Sequence, residues 1–225
     1  MEAEIKKKGN NAMGVCVIVG AGTVDESEIM IDKGDFVIGA DGGLKYLEHL
    51  GVQADMALGD FDSLGYLPEH EHLVIHPVMK DDTDMMLAVK EGLNLGYRTF
   101  RIYGGLGGRL DHTLANLQTL CFLSEQEAEA TLIGEGICVR AVTNGEISFD
   151  ESFEGIISVF CLTGEAKGVT LTGLKYSLDN GVMTSQLPLG VSNEFIGKKS
   201  TVRVTDGTLI VIWSGNQRKL STDMR

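Results

Sequence analysis

The stretch Met56-Ala57-Leu58-Gly59-Asp60-Phe61-Asp62-Ser63 joins a short apolar segment to a pair of aspartates. The apolar residues predict a buried strand that ends just before the aspartates. In a chain that stays extended, side chains two residues apart project to the same side, so Asp60 and Asp62 would face one way. Neighbouring carboxylates are costly unless a cation lies between them. The pattern predicts a site for a hard divalent cation, with a solvated turn as the alternative.

The overall composition is that of a globular protein. The chain has 225 residues, of which 43% are hydrophobic and 23% charged, enough for one large domain or two small ones. Its net charge of -13 argues against nucleic acid as a partner, because phosphate backbones are bound by clustered lysines and arginines.

The sequence shows no pattern typical of a membrane span, a signal peptide or a metal-binding or redox cysteine motif. No apolar run approaches the roughly 20 residues that cross a bilayer, so we expect no membrane partner. Residues 1–13 lack the apolar centre of a signal peptide, and we expect a disordered or added extension outside the fold. The four cysteines show no metal or redox spacing, which predicts buried free thiols in a cytoplasmic protein.

Two further strand predictions end in glycine-containing turns. Residues 14–19 form an apolar run before Gly20-Ala21-Gly22, but Asp25 stands where a dinucleotide fingerprint has its third glycine. We therefore interpret this turn only as a loop that can approach a phosphate. Residues 35–40 precede Asp41-Gly42-Gly43, which predicts either a helix cap or a loop that holds a phosphate or a hydroxyl.

An acidic cluster, Lys80-Asp81-Asp82-Thr83-Asp84, precedes a segment with helical apolar spacing. Three aspartates exceed what a helix cap requires. We interpret Asp84 as a third candidate metal ligand and assign the cap to Asp81 or Asp82.

The richest glycine segment follows a predicted strand at residues 99–103. It reads Gly104-Gly105-Leu106-Gly107-Gly108-Arg109, and its glycines let a backbone approach a ligand beside an arginine fork. This is the strongest phosphate-site candidate in the chain. The next helix is predicted to bury Leu110, Leu114, Leu117 and Cys121, with His112 and Asn116 on another face.

Beyond Ala130 the pattern changes to short β-rich segments separated by turn residues. We expect an α/β domain with a parallel sheet at residues 14–134 and an antiparallel β-sandwich at residues 135–225. The predicted strands after the helices are 130–133, 138–142, 147–149, 156–162, 169–171, 195–196, 202–204 and 209–213.

Taken together, these motifs resemble the thiamine pyrophosphokinase family in its bacterial form. The residues that carry the resemblance are Asp41-Gly42-Gly43, Gly59-Asp60-Phe61-Asp62-Ser63, Lys80-Asp81-Asp82-Thr83-Asp84, Gly107-Gly108-Arg109-Leu110-Asp111-His112 with Asn116, Gly173-Leu174-Lys175-Tyr176 and Val191-Ser192-Asn193-Glu194-Phe195.

The resemblance implies an α/β catalytic domain, a β-sandwich that binds thiamine, and a homodimer with each thiamine site between two subunits. It implies transfer of a pyrophosphoryl group from ATP to the thiamine hydroxyl, giving thiamine diphosphate and AMP. Mg²⁺ would lie on Asp60, Asp62 and Asp84. Ser192, Asn193 and Asp84 would contact thiamine. The nucleotide side would comprise Asp41, Gly42, Gly43, Lys80, Asp81, Gly107, Gly108, Arg109, Asp111, His112 and Asn116.

Several points stay open at this level. Either Asp84 or Asp111 can orient the thiamine hydroxyl or accept its proton. One alternative function is a metal-dependent phosphohydrolase with Asp60 as nucleophile and Asp62 as acid and base. Another is a nucleotide-sensing module without catalysis.

Overall fold

A computed structural model of the chain describes residues 14–61, 70–75 and 81–214. These residues form three α-helices, α1 (Leu44–His49), α2 (Asp84–Asn94) and α3 (Leu110–Glu125). They also form the strands β1 (Cys16–Val19), β2 (Phe36–Ala40), β3 (Met56–Gly59), β4 (Leu73–Ile75), β5 (Thr99–Tyr103), β6 (Glu129–Gly134), β7 (Ile137–Thr143), β8 (Glu146–Phe149), β9 (Ile156–Cys161), β10 (Glu165–Thr172), β11 (Leu178–Thr184), β12 (Gly190–Glu194), β13 (Ser200–Arg203) and β14 (Thr208–Ser214).

One large sheet of ten strands runs through both halves of the chain, in the order β12-β9-β14-β7-β6-β5-β1-β2-β3-β4. Its strands from β6 to β4 pair in parallel, as the continuous apolar runs predict. From β6 to β12 the pairs are antiparallel. The expected boundary at Glu135 falls in the turn between β6 and β7, and the sheet continues across it.

A small antiparallel sheet, in the order β11-β10-β13-β8, accounts for the rest of the sandwich. Its inner face shares a core with the large sheet. At the centre Phe149 makes edge-to-face contacts with Phe153, Phe195 and Trp213, with ring centroids 5.1 to 5.2 Å apart. The predicted α/β half followed by a β-sandwich is confirmed.

The two faces of the large sheet carry different layers. On one face, α2 and α3 pack over Ile18, Phe100 and Leu132, and this core extends to Val139 and Ile210 in the antiparallel strands. On the other face lie α1 and the small sheet. The helix α3 therefore belongs to the packing of both halves.

Three details differ from the sequence expectations. Leu110 and Leu114 on α3 are 72% and 53% exposed, because the buried face of that helix runs through Asn116, Leu120 and Leu123. The strand β11 was not predicted, because Asp179, Asn180 and Gly181 are typical turn residues and only Met183 of the strand is buried. The last strand before Phe195 covers Gly190–Glu194, and Phe195 itself makes only an isolated bridge with Leu174.

All four cysteines are buried and free, as predicted. Burial raises the pKa of the Cys121 thiol to about 11 and that of Cys138 to about 12, so both stay protonated and unreactive. In the part of the chain that the structure describes, no helix combines the length and the apolar character needed to cross a membrane.

Candidate active site

A cavity lies where the strand order of the parallel sheet reverses. From β1 the chain moves to β2, β3 and β4 on one side and then returns to β5 on the other side. In open α/β sheets, ligands bind outside the carboxyl ends of the strands at such a point. The cavity here has a volume of about 390 Å³. Its lining comes from the segments after β1, β2 and β5 and from the starts of α2 and α3: Gly20, Ala21, Gly22, Thr23, Ala40, Asp41, Thr83, Asp84, Met85, Gly104, Gly105, Gly107, Gly108, Arg109, His112 and Asn116.

The turn after β1 is bonded to the loop after β5. The Gly20 N–H donates to the Tyr103 carbonyl at 2.8 Å, and the Gly22 N–H donates to the Gly104 carbonyl at 3.0 Å. Gly104 has φ +70°, and a Cβ there would lie 2.3 Å from the Gly20 carbonyl oxygen. Only glycine fits this contact. Because the two N–H groups are already used, they position the turn beside the cavity and do not serve as phosphate donors.

The loop after β5 continues through Gly107 and Gly108, with φ +73° and +68°, to Arg109 at the N-cap of α3. Arg109 is exposed and makes two hydrogen bonds to Asp111, Nε to Oδ1 at 3.2 Å and Nη2 to Oδ2 at 2.6 Å. These bonds lower the pKa of the Asp111 carboxyl. Arg109 and these glycines line one cavity, and their role as a phosphate site stays a prediction.

The segment after β2 forms a single 3₁₀ turn, Asp41–Gly43. Asp41 lines the cavity and has φ +50°, a left-handed conformation that costs an aspartate little. A Cβ at Gly43 would lie 1.9 Å from the Val19 carbonyl oxygen. The glycine at this position therefore allows α1 to start directly against β1, while Asp41 carries the polar group.

Beyond β3 the chain does not stay extended. Phe61 is buried with φ +57°, in the left-handed region that an aromatic residue rarely adopts. The condition of an extended chain between Asp60 and Asp62 is therefore not met at Phe61, and Asp62 itself lies outside the described residues. Asp60 is half-buried and follows Gly59, whose Cβ position would lie 3.0 Å from the Asp41 Cα. Asp60 thus starts from the same edge as Asp41.

In the acidic cluster the cap differs from the prediction. Thr83 is the N-cap of α2, and its Oγ1 accepts the Met86 N–H at 3.2 Å. Asp82 accepts from Lys90 Nζ at 2.6 Å, and Asp81 is exposed. Asp84, in the first turn of α2, lines the cavity.

Two predicted site residues, Asp62 and Lys80, lie outside the described residues. Within the residues that are described, no group of three or more histidine, cysteine, aspartate or glutamate side chains is close enough to hold a metal ion. The full set of Asp60, Asp62 and Asp84 therefore stays a prediction. His112 and Asn116 both line the cavity.

Of the residues predicted for the second half, Ser192 is exposed with φ +57°, and its N–H donates to Ser158 Oγ at 3.0 Å. Asn193 is buried, and its side chain is bonded to the backbone of Tyr176. Its Nδ2 donates to the Tyr176 carbonyl at 2.7 Å, and its Oδ1 accepts the Tyr176 N–H at 2.9 Å. These two residues lie on β12, in a different part of the chain from the lining of the cavity beside β1 and β5.

Sequence reasoning missed some lining residues. Met85 forms part of the wall, and its Cε would lie 2.7 Å from a Cβ placed on Gly20. Its position directly after Asp84, at the start of a helix, was the available signal. Tyr46 on α1 also supports the site, because its hydroxyl donates to the Gly22 carbonyl at 3.0 Å. No pattern in the sequence indicates the contact between Tyr46 and Gly22.

Comparison with known proteins assigns both halves of the chain to one family. Residues 28–132 match the thiamin pyrophosphokinase catalytic domain, and residues 144–209 match the thiamin pyrophosphokinase vitamin B1 binding domain. The thiamine pyrophosphokinase of Bacillus subtilis is 32% identical over 194 residues, which cover 81% of this chain and 89% of that protein.

Solved structures agree with this match. The crystal structure of the Bacillus subtilis thiamine pyrophosphokinase has a TM-score of 0.78 at 29% identity and covers 90% of this chain and 99% of that one. The Geobacillus thermodenitrificans thiamin pyrophosphokinase has a TM-score of 0.76 at 26% identity, with 90% and 98% covered. The yeast enzyme, at 18% identity and a TM-score of 0.70, shares the fold. Both domains are matched in order and a relative is 32% identical over most of its length, so the chain belongs to the thiamine pyrophosphokinase family.

Proposed function

We propose that this chain transfers a pyrophosphoryl group from ATP to the hydroxyl of thiamine, giving thiamine diphosphate and AMP. The observation that carries the proposal is the glycine-lined cavity at the switch point between β1 and β5, with Arg109 at its rim. Transfer of phosphoryl groups depends on positioning and charge neutralisation more than on covalent catalysis. Both are available at this cavity.

The nucleotide side of the site would be the loop after β5 and the start of α3. Backbone N–H groups at a helix N-terminus favour an anion, and a guanidinium adds a fork that matches phosphate oxygens. The Arg109 side chain is 73% exposed and is paired with Asp111. Because it lies largely in solvent, it can turn toward a phosphate with little desolvation. Asp41 and His112 would line the same pocket, with Gly42, Gly43, Lys80 and Asp81 in supporting positions.

The proposed metal ligands are Asp60, Asp62 and Asp84. Asp60 starts at the carboxyl end of β3, and Asp84 lines the cavity at the start of α2. A set made only of carboxylates fits a hard divalent cation such as Mg²⁺, which is commonly held by one or two carboxylates together with substrate phosphates. When bound, such a cation neutralises charge on the phosphates. The aspartates would hold and orient it.

For the proton of the thiamine hydroxyl we assign Asp84 over Asp111. Among the described residues the cavity lining includes Asp84 but not Asp111. Both carboxylate oxygens of Asp111 accept hydrogen bonds from Arg109, which assigns Asp111 to the guanidinium. Asp111 would instead orient the guanidinium.

Thiamine would meet the second half of the chain through Ser192 and the turn that Asn193 holds. A small cleft of about 160 Å³ lies beside this turn, with Tyr176, Leu189 and Val191 among its lining residues. Ser192 is exposed and lies between Val191 and Asn193, which both line this cleft. Asn193 would act by fixing the Tyr176 backbone, since its amide is already bonded to that backbone.

We also propose a homodimer in which a second copy covers this region. Large exposed apolar side chains are concentrated in residues 176–196, namely Tyr176, Val182, Leu187, Leu189, Val191 and Ile196. Exposed apolar patches of this kind mark contact surfaces. Sedimentation equilibrium at micromolar concentration should give twice the chain mass, and a monomer would contradict the dimer.

The buried free thiols suit a reducing compartment, and we propose that the protein is cytoplasmic.

One assay tests the function against its alternatives. AMP is measured from ATP and Mg²⁺ with thiamine present and absent. The transferase should produce AMP only with thiamine, in a one-to-one ratio with thiamine diphosphate. A phosphohydrolase would release phosphate without thiamine, and a nucleotide sensor would bind ATP without forming AMP. Either result would contradict the proposal.

A further inference from the structure

Three consecutive carbonyl groups at the end of β5 are each bonded to a donor of the chain. The Tyr103 carbonyl accepts from the Gly20 N–H, and the Gly104 carbonyl accepts from the Gly22 N–H. The third, that of Gly105, accepts from the side chain of Asn116, with Nδ2 at 2.9 Å. This series uses two backbone donors and one side-chain donor.

Asn116 is well placed for this contact. It lies in the second turn of α3, is only 8% exposed, and belongs to the cavity wall. A Cβ on Gly105 would lie 3.0 Å from its Nδ2 and 2.6 Å from Leu132 Cδ1. The Gly105 backbone is therefore packed closely against Asn116 and Leu132, and the hydrogen bond from Asn116 fixes the direction of its carbonyl.

The charge on these carbonyls explains why the bonds matter at this cavity. A carbonyl oxygen carries partial negative charge, and one that faced the cavity without a donor would repel a phosphate. Anion sites in proteins are built from N–H groups whose neighbouring carbonyls point elsewhere. The backbone of the turn after β1 controls the first two carbonyls. The third depends on one side chain.

We infer that Asn116 is a positioning residue: it holds the Gly105 carbonyl away from the ligand and so keeps this wall of the cavity selective for a polyphosphate. It acts through Gly105 and does not itself need to contact the nucleotide. The inference rests on the proposed function, because it takes ATP as the ligand of the cavity. It adds a role for a residue that the sequence analysis placed only on the nucleotide side.

The first test replaces Asn116 by aspartate, which has the same shape but only acceptor atoms when ionised. Calorimetric titration of the full chain with ATP and Mg²⁺ should show affinity lowered by more than about tenfold, since one donor is lost and a like charge is added. The KM for ATP should rise while kcat and the KM for thiamine stay near the wild-type values. A purely structural role would lower the unfolding temperature and leave the ratio of the two KM values unchanged.

The matched control is Gln118→Glu. It makes the same change from amide to carboxylate two residues along α3, at an exposed position that faces away from Asn116. This variant should bind ATP as the wild type does. An equal loss of affinity in both variants would mean that only net charge matters, which overturns the inference.

Asn116→Leu separates the lost donor from the added charge. It removes the hydrogen bond at similar volume, and ATP affinity should fall about tenfold. If circular dichroism shows that Asn116→Asp or Asn116→Leu is unfolded, ATP affinity is measured in Asn116→Ser instead. Serine adds neither charge nor volume at this position. Wild-type affinity in the folded variants overturns the inference alone. A wild-type chain that binds no ATP overturns the proposed function first, and the inference with it.

Discussion

The carboxyl edge of the parallel strands and the aromatic centre of the sandwich use polar and apolar groups in opposite ways. At the edge, backbone groups and small residues create space, and Asp41, Asp84 and Arg109 project toward that space. At the centre, Trp213 and Phe149 fill the space between two sheets with almost no exposure. A substitution at the edge should therefore change chemistry, and one at the centre should change stability.

The polar residues of the second half follow the same division. Asn193 and Ser200 are buried, and their side chains bond to backbone carbonyls of the turns beside them. Buried polar groups of this kind fix the shape of a turn, because leaving them without a partner is costly. In the sandwich half these two buried side chains therefore support structure, whereas at the strand edge Asp41, Asp84 and Arg109 line a cavity.

The largest effect should come from Trp213→Ala. Trp213 is 1% exposed and packs edge-to-face on Phe149 at 5.2 Å, so its loss leaves a cavity. We expect the free energy of unfolding to fall by about 3 to 5 kcal/mol, measured by chemical denaturation. The KM values of the remaining folded protein should not change. Trp213→Phe serves as the control, with a smaller loss, and a catalytic defect without a loss of stability would break the comparison.

Asp84→Asn tests the opposite region. Because Asp84 lines the cavity and is a proposed ligand and base, we expect kcat to fall by more than about 100-fold. The unfolding midpoint should stay close to that of the wild type. The control is Asp82→Asn, two residues earlier and outside the helix, where the carboxylate accepts from Lys90. Near-normal turnover in Asp84→Asn would remove this residue from the chemistry.

Arg109→Lys sharpens the role of the guanidinium. Lysine keeps the positive charge but cannot form the fork, and kcat/KM for ATP should fall about tenfold through the loss of one charged hydrogen bond. Steady-state kinetics at varied ATP gives this ratio. Arg140→Lys is the matched change in the antiparallel half, at an ion pair with Glu129 of 2.7 Å. Unchanged kinetics in Arg109→Lys would show that charge alone suffices.

The smallest effect concerns the pH dependence of the same pair. Hydrogen bonds from Arg109 lower the pKa of Asp111 below its usual 3.8, so the pair is fully formed at neutral pH and is lost only as the pH falls through the lowered value. Carboxyl ¹³C NMR should show this titration midpoint. In Arg109→Lys the midpoint should move back up toward 3.8. At about 1 M salt the shift should narrow, because both side chains are exposed. A midpoint at the usual value in the wild type would mean that the pair does not persist in solution.

The sequence supports much of this picture where one physical signal dominates. Apolar runs predict β1, β2 and β5. The cluster of glycines after β5 indicates the cavity, because so many glycines are typical of a backbone that a ligand approaches closely. The apolar spacing of α3 was misleading. Leu110 and Leu114 have the right period, but they belong to the first turns of a helix whose buried face starts at Asn116.

Other features depend on contacts between distant segments and leave no local trace. The left-handed Phe61 is one case, since nothing in an aromatic side chain favours that conformation and burial must impose it. The hydrogen bond of Asn116 to Gly105 is another, because an asparagine in a helix is more often solvated. The role of Asn193 beside Tyr176 likewise emerges only when β12 is placed in the sheet.

The turn of two residues between β6 and β7 joins the two regions that match family domains inside one hydrogen-bonded sheet, with Leu132 opposite Val139 and α3 lying over both. The second region therefore cannot be exchanged as an independent domain. Chimeras that exchange this region between relatives must therefore restore the surface under α3 as well as the β6–β7 register. A fragment that stops at Glu135 would leave β6 as an unpaired, apolar edge strand that is prone to self-association.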